Sequence, residues 1–543
     1  MRFQLHIGIF PFIALGLSLP VAAQVPAPDA GRILQENQPS QPQPLAPLVD
    51  FSIESEPLSE GASGGPQVTL QAIEFNDNSV YSNAELLAVL GPVIGEQFDL
   101  AGIRALANRL TQHYRNAGYL FAQALIPAQR MADGKLVLQI VEGRYGQIST
   151  SGDPELAAAA ESLLQGLESG AVIESSVLER QIFLLGDLPG IDVTSVMSAG
   201  SEVGTGDLDV RVSEAQRWAA RVGADNHGNR YSGAYAATAD LAFNRLLMAG
   251  DAIQLQARLT DEETWLGQLS YSLPLGGSGL RGTLSYAQTD YTLGEEFDGF
   301  TGTAKVSRVG VSYPLLRCSA SNLMLSAAYQ YKDLDDNGVL AFNKGASSKG
   351  LPLALQFDHR DGLLGGGVSY GVATLTPVQM KTHQSILGLP LLNEEYSFTK
   401  LNLQIARLQR LAAGFSLFGS LSGQYADRSE IDGSEAFLLG GPGGVRAYPA
   451  GEGPDARGWL GQLELRYAFD RYLSPYAFYD SGSSPNGDAN ERRSISGAGV
   501  GARYSRQGFS LDVSSAWKVN GGDARADDRQ RDPRVWMSAS YAF

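Results

Sequence analysis

Residues Trp459–Phe469 read WLGQLELRYAF, and the pattern of this stretch decides the fold class. From Leu463 onward every second residue is apolar, whereas Gln462, Glu464 and Arg466 between them are polar or charged. Successive side chains of a β-strand point to opposite faces, so this strand has one apolar and one polar face.

The same alternation recurs at Thr264–Leu273 and Phe415–Tyr425 and continues to the C-terminus. We count about sixteen such strands. They start near residues 217, 229, 252, 264, 280, 301, 322, 351, 367, 396, 414, 458, 473, 494, 508 and 534. A long series of strands with one wet and one apolar face is typical of a membrane barrel, which has lipid outside and water inside. Residues 215–543 therefore predict a transmembrane β-barrel of about 16 antiparallel strands.

The breaks between these strands alternate in length. Those after even-numbered strands are mostly short, as at 274–278, 411–414 and 506–508. Those after odd-numbered strands include the longest, at 333–350, 380–395, 438–458 and 520–534. Short turns on one side and long loops on the other are typical of bacterial outer-membrane barrels. An even strand count also returns the C-terminus to the periplasmic side.

Composition excludes several classes of function. The formal net charge of -17 argues against nucleic acid as a partner, because phosphates need a basic surface. The single cysteine, Cys318, excludes a disulfide framework. The five histidines show no ligand spacing, so we expect neither a metal site nor a cofactor.

The N-terminal segment predicts export. Residues 1–23 combine a short basic start, an apolar run and small residues before Gln24, as in a secretory signal peptide. Residues 24–66 are rich in proline, which is a linker composition. Within them, Asp29–Asn37 predicts a short helix that Pro39 ends.

Two modules of the same predicted order, strand, helix, helix, strand, strand, fill residues 67–142 and 143–214. In the first, Ser82-Asn-Ala-Glu85 is a capping box and Asp99 caps a longer helix. In the second, Ser176-Val-Leu-Glu179 predicts another capping box. Two tandem units of one topology form a repeat.

Specific motifs link these modules to a known family. The first module carries Gly118 and Tyr119, then Pro127 and Gln129, then Glu142 and Gly143, and the second carries Leu188-Pro189-Gly190. This pattern resembles the two POTRA (polypeptide-transport-associated) modules of outer-membrane two-partner secretion transporters. These are the TpsB-type, haemolysin/adhesin activation and secretion proteins of the Omp85 superfamily. The resemblance implies two α+β POTRA modules in the periplasm, followed by the barrel.

A Gly-rich loop at Gly440–Glu452 contains a second family motif. Its tip, Val445, Arg446, Ala447 and Tyr448, resembles the V-R-G-Y or V-R-G-F tip of the family's sixth loop, which folds into the barrel. Ala447 replaces the family glycine. If that position needs a positive φ, alanine costs about 1 kcal/mol or more, and the tip backbone is expected to differ slightly.

The barrel-wall motif that receives the loop follows at Phe478, Asp480 and Gly482. Strand parity independently directs Phe478 and Asp480 to the lumen, because Tyr479 continues the apolar face. We therefore expect a bidentate pair between Arg446 and Asp480. In a partly wet lumen such a pair contributes about 1–2 kcal/mol net.

The resemblance implies an outer-membrane translocator. It captures an unfolded secreted partner, a large adhesin- or haemolysin-like protein, through its POTRA modules and passes it through the barrel to the cell surface. The family also has an N-terminal plug helix, for which Asp29–Asn37 is the short candidate. The terminal Phe543 resembles the signal read by the barrel assembly machinery, and outer-membrane lipid is the other expected partner.

Three other interpretations remain open. An Omp85-type assembly or insertion factor shares the loop motif but tends to carry more than two modules. In a passive porin the modules would be superfluous. An enzyme is disfavoured because Gly276–Leu280 fails the G-x-S-x-G pattern and Gly440–Arg446 lacks the G-K-[ST] ending of a phosphate-binding loop.

Overall fold

The structure is a computed structural model that describes residues 28–36, 64–131, 133–485 and 492–543. The predicted signal peptide, 1–23, and most of the linker, 24–66, lie outside these residues. Within the linker, helix α1 (Ala30–Glu36) forms where the sequence predicts one. Its Ile33 is fully buried in a cluster with Leu334 and Phe398, which face the inside of the barrel.

The first module is an α/β layer with its own core. Its elements are β1 (Val68–Thr69), β2 (Ala72–Asn76), α2 (Asn83–Leu90), β3 (Gln97–Phe98), α3 (Leu100–Asn116), β4 (Gln123–Leu125) and β5 (Lys135–Val141). The sheet order is β2-β5-β4, with β2 parallel and β4 antiparallel to β5. Ser82 and Glu85 form the reciprocal capping box, and Asp99 accepts a hydrogen bond from Gly102 N–H. The apolar face of α3 packs on this sheet.

The second module repeats this topology. Its elements are β6 (Arg144–Gly152), α4 (Pro154–Leu164), α5 (Ser175–Gly186), β7 (Ile191–Ala199) and β8 (Thr205–Glu214), with sheet order β6-β8-β7. The predicted capping box at Ser176 is wrong. Helix α5 starts one residue earlier, its N-cap is Glu174, and no side chain caps it. Ser176 instead donates to the Glu174 carboxylate.

The remaining strands close into the predicted antiparallel barrel of 16 strands. Two segments, β16 and β17, are halves of one strand broken at Leu351 and Pro352, since both pair with β15 and β18. The segments are β9 (Trp218–Asp225), β10 (Ala236–Asn244), β11 (Ala252–Thr260), β12 (Trp265–Pro274), β13 (Arg281–Thr292), β14 (Thr301–Arg317), β15 (Ser321–Gly338), β16 (Phe342–Gly350), β17 (Leu353–Asp361), β18 (Gly367–Ile386), β19 (Leu389–Arg410), β20 (Phe415–Ala426), β21 (Gly458–Tyr467), β22 (Leu473–Ser484), β23 (Arg493–Arg506), β24 (Phe509–Asn520) and β25 (Arg534–Ala542).

The two faces of β21 follow the alternation that predicts them. Trp459, Leu463 and Leu465 are exposed on the outer wall, whereas Gln462 and Glu464 are buried toward the lumen. Among the described residues, no helix is long and apolar enough to cross a membrane.

Two of the four long loops predicted from the sequence are wrong. Residues 333–350 and 380–395 lie mostly in strands, because β15 pairs with β16 and β18 pairs with β19 far beyond the lipid-facing rows. The connections shrink to Val339–Ala341 and to Leu387 with Gly388. Outside the membrane no lipid requires one apolar face, so the alternation fades while main-chain pairing continues. The other two loops occupy 427–457 and 521–533.

The second module sits on the short turns of the barrel. Arg317, at the end of β14, donates two hydrogen bonds to the Asp187 carboxylate at 2.7 and 2.8 Å. Arg180 of α5 donates to the Pro314 carbonyl at 2.8 Å, and Glu179 accepts from Ser319 N–H at 3.0 Å. These contacts place the second module at the short-turn end of the barrel and the loop 427–457 at the opposite end.

Candidate functional site in the barrel lumen

The loop 427–457 joins the eleventh and twelfth barrel strands and folds inward. A bridge between Phe437 and Asp455 closes its base, and one between Gly440 and Val445 tightens its tip. Glycine is required at Gly444, because a Cβ there would lie 2.3 Å from the Leu439 carbonyl oxygen. The loop is therefore compact and closed by backbone pairing at its base and near its tip.

Arg446 at the tip binds two carboxylates on the barrel wall. Its Nε and Nη2 donate to the two oxygens of Asp480 at 2.8 and 2.7 Å, and its backbone N–H adds a third bond at 3.1 Å. Its Nη1 donates to Glu464 Oε1 at 2.6 Å. The guanidinium also lies over the Phe478 ring, 3.5 Å from its centroid. We call Arg446, Asp480 and Glu464 the arginine latch.

The arginine latch is less exposed to solvent than the sequence predicts. Asp480 is fully buried and Arg446 is 5% exposed, so the expectation of a partly wet pair is replaced by a buried three-residue network. Glu464 also accepts from Arg503 at 3.1 Å and from Arg466 at 2.8 Å. Charged hydrogen bonds that satisfy every buried partner are strong, and loss of one partner is costly.

Sequence reasoning placed Glu464 on the polar face of its strand but missed its role. The register of the β21–β22 hairpin sets Glu464 opposite Phe478 and Gln462 opposite Asp480. The pairing of these two strands brings Glu464 close to the Asp480 carboxylate, and the short connection between the strands is the sequence feature from which this pairing could have been predicted.

The other tip residues pack against neighbouring wall strands. Val445, Ala447 and Tyr448 are fully buried. Ala447 does not adopt a positive φ, so the strain considered for alanine does not arise. A Cβ on Gly497 would lie 2.5 Å from the Ala447 methyl, which shows that Gly497 makes the room for this side chain.

Hydrogen bonds hold the tip backbone as well. Trp536 Nε1 donates to the Arg446 carbonyl at 2.7 Å, and Tyr448 Oη donates to the Asn520 carbonyl at 2.9 Å. Gly482, the last residue of the wall motif, allows the backbone of Trp459 to lie close to it, because a Cβ at this position would be 3.0 Å from the Trp459 carbonyl oxygen.

A second ionic contact, which sequence reasoning missed, holds the outer part of the loop. Glu452 is fully buried and accepts from Arg493 Nε at 2.8 Å. Its other oxygen accepts from the backbone N–H groups of Arg525 and Ala526 at 2.8 and 2.9 Å. We call Glu452 and Arg493 the outer anchor, since they tie the loop 427–457 to the loop 521–533. Arg493 lies 41 residues further along the chain, and no local pattern pairs it with Glu452.

A third contact fixes the base of the loop on the opposite wall. Glu435 accepts from Lys332 of β15 and Lys400 of β19, both at 2.7 Å. The loop thus spans the lumen from β15 and β19 to the β21–β23 wall, with buried charge pairs at both ends.

Helix α1 packs beside this base. Gln35 donates to the Ser434 carbonyl, and Ala30 N–H donates to Asp336 at 2.7 Å. Lys344 contacts both Asp29 of the helix end and Asp432 of the loop. A cavity of about 600 Å³ remains along the inner wall beside α1 and the loop. Together α1 and the loop fill the outer part of the lumen.

In the first module, Glu142 is the centre of a polar network. Its carboxylate accepts from Ser79 and Val80 N–H at 2.6 and 2.8 Å, from Tyr114 Oη at 3.2 Å and from Arg144 at 3.2 Å. Burial raises the pKa of Glu142, but the hydrogen bonds from Ser79 and Val80 outweigh it and leave the pKa below its ordinary value.

The other predicted motif residues of this module shape its backbone. Gly118 has a φ of 96°, and its carbonyl accepts from Ser175 N–H of the second module. Gly143 has a φ of 74°. Gln129 follows the end of β4 and forms two 2.8 Å hydrogen bonds with the backbone of Val137 in β5. Its side-chain amide also donates to the Pro127 carbonyl at 3.3 Å. Tyr119 packs edge-on against Tyr114.

We expect Glu142→Gln to destabilise the two modules by about 2 kcal/mol at pH 7, because charge-assisted hydrogen bonds are lost. The folded-state pKa lies below the unfolded value of 4.5, so the carboxylate stabilises above that value and loses its effect as the pH falls below it. Thermal unfolding of residues 64–214 by circular dichroism at pH 7 and pH 3 measures this. If the difference in unfolding temperature between wild type and variant were the same at pH 7 and pH 3, the stabilising role of the carboxylate would be contradicted.

Comparison with known proteins identifies the family. The family model for haemolysin secretion/activation proteins ShlB/FhaC/HecB matches residues 204–504, and that for ShlB-type POTRA domains matches 68–143. The chain belongs to this family. It is therefore an outer-membrane transporter of the two-partner secretion type, with its POTRA modules in the periplasm.

Individual relatives agree in length and fold. The heme/hemopexin transporter protein HuxB of Haemophilus influenzae is 25% identical over 546 residues, covering 95% of each chain. The hemolysin transporter protein ShlB of Serratia marcescens is 26% identical over 92% of this chain and 88% of its own. The solved structure of CdiB from Escherichia coli shares the fold, with a TM-score of 0.70 and 19% identity over 94% of this chain and 95% of that one.

Proposed function

We propose that this transporter captures an unfolded, exported partner at its first POTRA module and releases it outside after the arginine latch has opened and the loop 427–457 and α1 have left the lumen. The observation that supports the proposal is the loop 427–457, which crosses the lumen and is held by buried ion pairs. Ion pairs can exchange between two fixed arrangements, so the loop can be released from the wall without unfolding of the barrel.

The partner enters by adding a strand to an open sheet edge. β2 pairs only with β5 among the described strands, so its outer side is free for an extended chain. Main-chain pairing recognises extended polypeptide with little dependence on sequence, which suits a long unfolded client. We propose a large secreted protein of the haemolysin or adhesin class as that client.

No bond chemistry is needed in this mechanism, and we propose that the transporter is not an enzyme. Phe543, whose side chain is exposed beside Tyr541, is proposed as the contact for the barrel assembly machinery, and the exposed apolar rows of the outer wall as the contact for membrane lipid. The alternative role as an assembly factor fits the relatives less well.

Deleting residues 68–142 is expected to abolish partner capture while the barrel still assembles, because the open β2 edge is lost. The measurement is binding of the N-terminal domain of the secreted partner, with heat-dependent gel migration as the control for barrel folding. Unchanged binding by the deletion variant would refute capture at this module.

A further inference from the structure

An extracellular strand edge stands beside the mouth of the barrel without a neighbouring strand. Residues 389–399 of β19 pair with β18 on one side, and β20 joins β19 only from Lys400 onward. Among the described strands, none pairs with the other side of this segment. We call it the open edge; at the rise of an antiparallel strand it is roughly 37 Å long.

Thr399, at the end of the open edge, has both backbone groups bonded to Asp427 and shows in which direction the free backbone groups of this segment point. Thr399 N–H donates to Asp427 Oδ1 at 2.9 Å, and its carbonyl accepts from Asp427 N–H at 3.1 Å, so both groups point away from β18. Main-chain groups alternate in direction along a strand. Those of Ser397, Glu395 and Asn393 therefore face the same open side, and all three residues are exposed.

The open edge lies next to the exit path. Phe398, on the same segment, is buried in the lumen cluster that contains Ile33 of α1. Tyr396 Oη accepts from Asp432 N–H of the loop 427–457 at 3.2 Å. The open edge therefore borders the space that opens when the loop and α1 move out of the lumen.

Side chains at the open edge decide which extended chain fits. Glu394 and Glu395 place two carboxylates there, and Lys381 of β18 pairs with Glu395. Two copies of this acidic protein would bring like charges together at such an edge. A segment with neutral or basic side chains meets no such repulsion. The exposed Leu389 and Leu391 near the hairpin tip add apolar contact surface.

We propose that the open edge receives an extended, non-acidic segment of the secreted partner as it leaves the lumen, so that pairing with β19 starts the folding of the partner outside the cell. This inference rests on the proposed function, since the segment has to arrive through the barrel.

Glu395→Pro and Glu395→Ala form a matched pair of test variants. Both lose the contact with Lys381, but only proline removes the N–H that faces the open side, and proline is tolerated on edge strands. The probe is the secreted partner, a protein of the haemolysin or adhesin class, produced in the same cells as the transporter. Its surface exposure and its protease-resistant folded fraction are measured on whole cells.

We expect wild-type levels of exposed partner in both variants and a folded fraction at least threefold lower in the proline variant alone. Equal folded fractions in the two variants would overturn the inference, and so would loss of export in the proline variant with a normally assembled barrel. A photo-crosslinker at Ser397 should trap the partner, whereas adducts between two transporter copies would contradict the assignment. If the wild type exports no partner, the proposed function fails and the inference falls with it.

Discussion

Replacing Arg446 with alanine is expected to lower partner export at least tenfold while the barrel still inserts. The substitution leaves the buried Asp480 carboxylate without its cation and removes one donor from Glu464. An uncompensated buried charge costs about 3–5 kcal/mol, which is enough to release the loop from its place on the wall. Export assays together with heat-dependent gel migration measure both effects.

Two further variants make this test specific. Asp480→Ala should also lower export, whereas the double variant Arg446→Ala with Asp480→Ala should unfold at a higher temperature than Arg446→Ala alone, because no carboxylate is then left unpaired at position 480. Arg428→Ala is the matched control, since Arg428 lies on the same loop but stacks on Tyr396 at the rim. Normal export by both single variants of the latch would exclude the proposed role.

Replacing Glu452 with alanine is expected to open the lumen to ions. In the variant, Arg493 Nε and the backbone N–H groups of Arg525 and Ala526 lose the acceptor that Glu452 supplies, whereas Arg493 keeps its bonds to the Gly521 and Asp523 carbonyls. Buried donors without acceptors cost about 1–3 kcal/mol each, so the contact between the two loops should break. We expect a single-channel conductance in planar bilayers at least threefold above that of the wild type.

The control for the outer anchor is Glu430→Ala, which removes an exposed carboxylate from the same loop. It should leave the conductance unchanged. If Glu452→Ala conducts like the wild type while its barrel is intact, the outer anchor does not hold the lumen closed.

Alternation along β21 was enough to predict the barrel, because lipid and water impose opposite chemistry on the two faces of every spanning strand. The same rule failed at residues 333–350 and 380–395, which pair as long hairpins outside the membrane. The Ser82 capping box was readable because both partners are three residues apart. At Ser176 the same spacing misled, since the helix begins at Ser175.

The modular order, the strand count and the two motifs that contain Arg446 and Asp480 were readable from the sequence, because each depends on residues near one another in the chain. The three-dimensional structure was needed to show that Glu464 completes the latch, that Glu452 and Glu435 hold the rest of the loop, and that residues 389–399 form an open edge. These features depend on partners from distant segments, and a closed barrel brings such segments together by register and curvature, which no local pattern records.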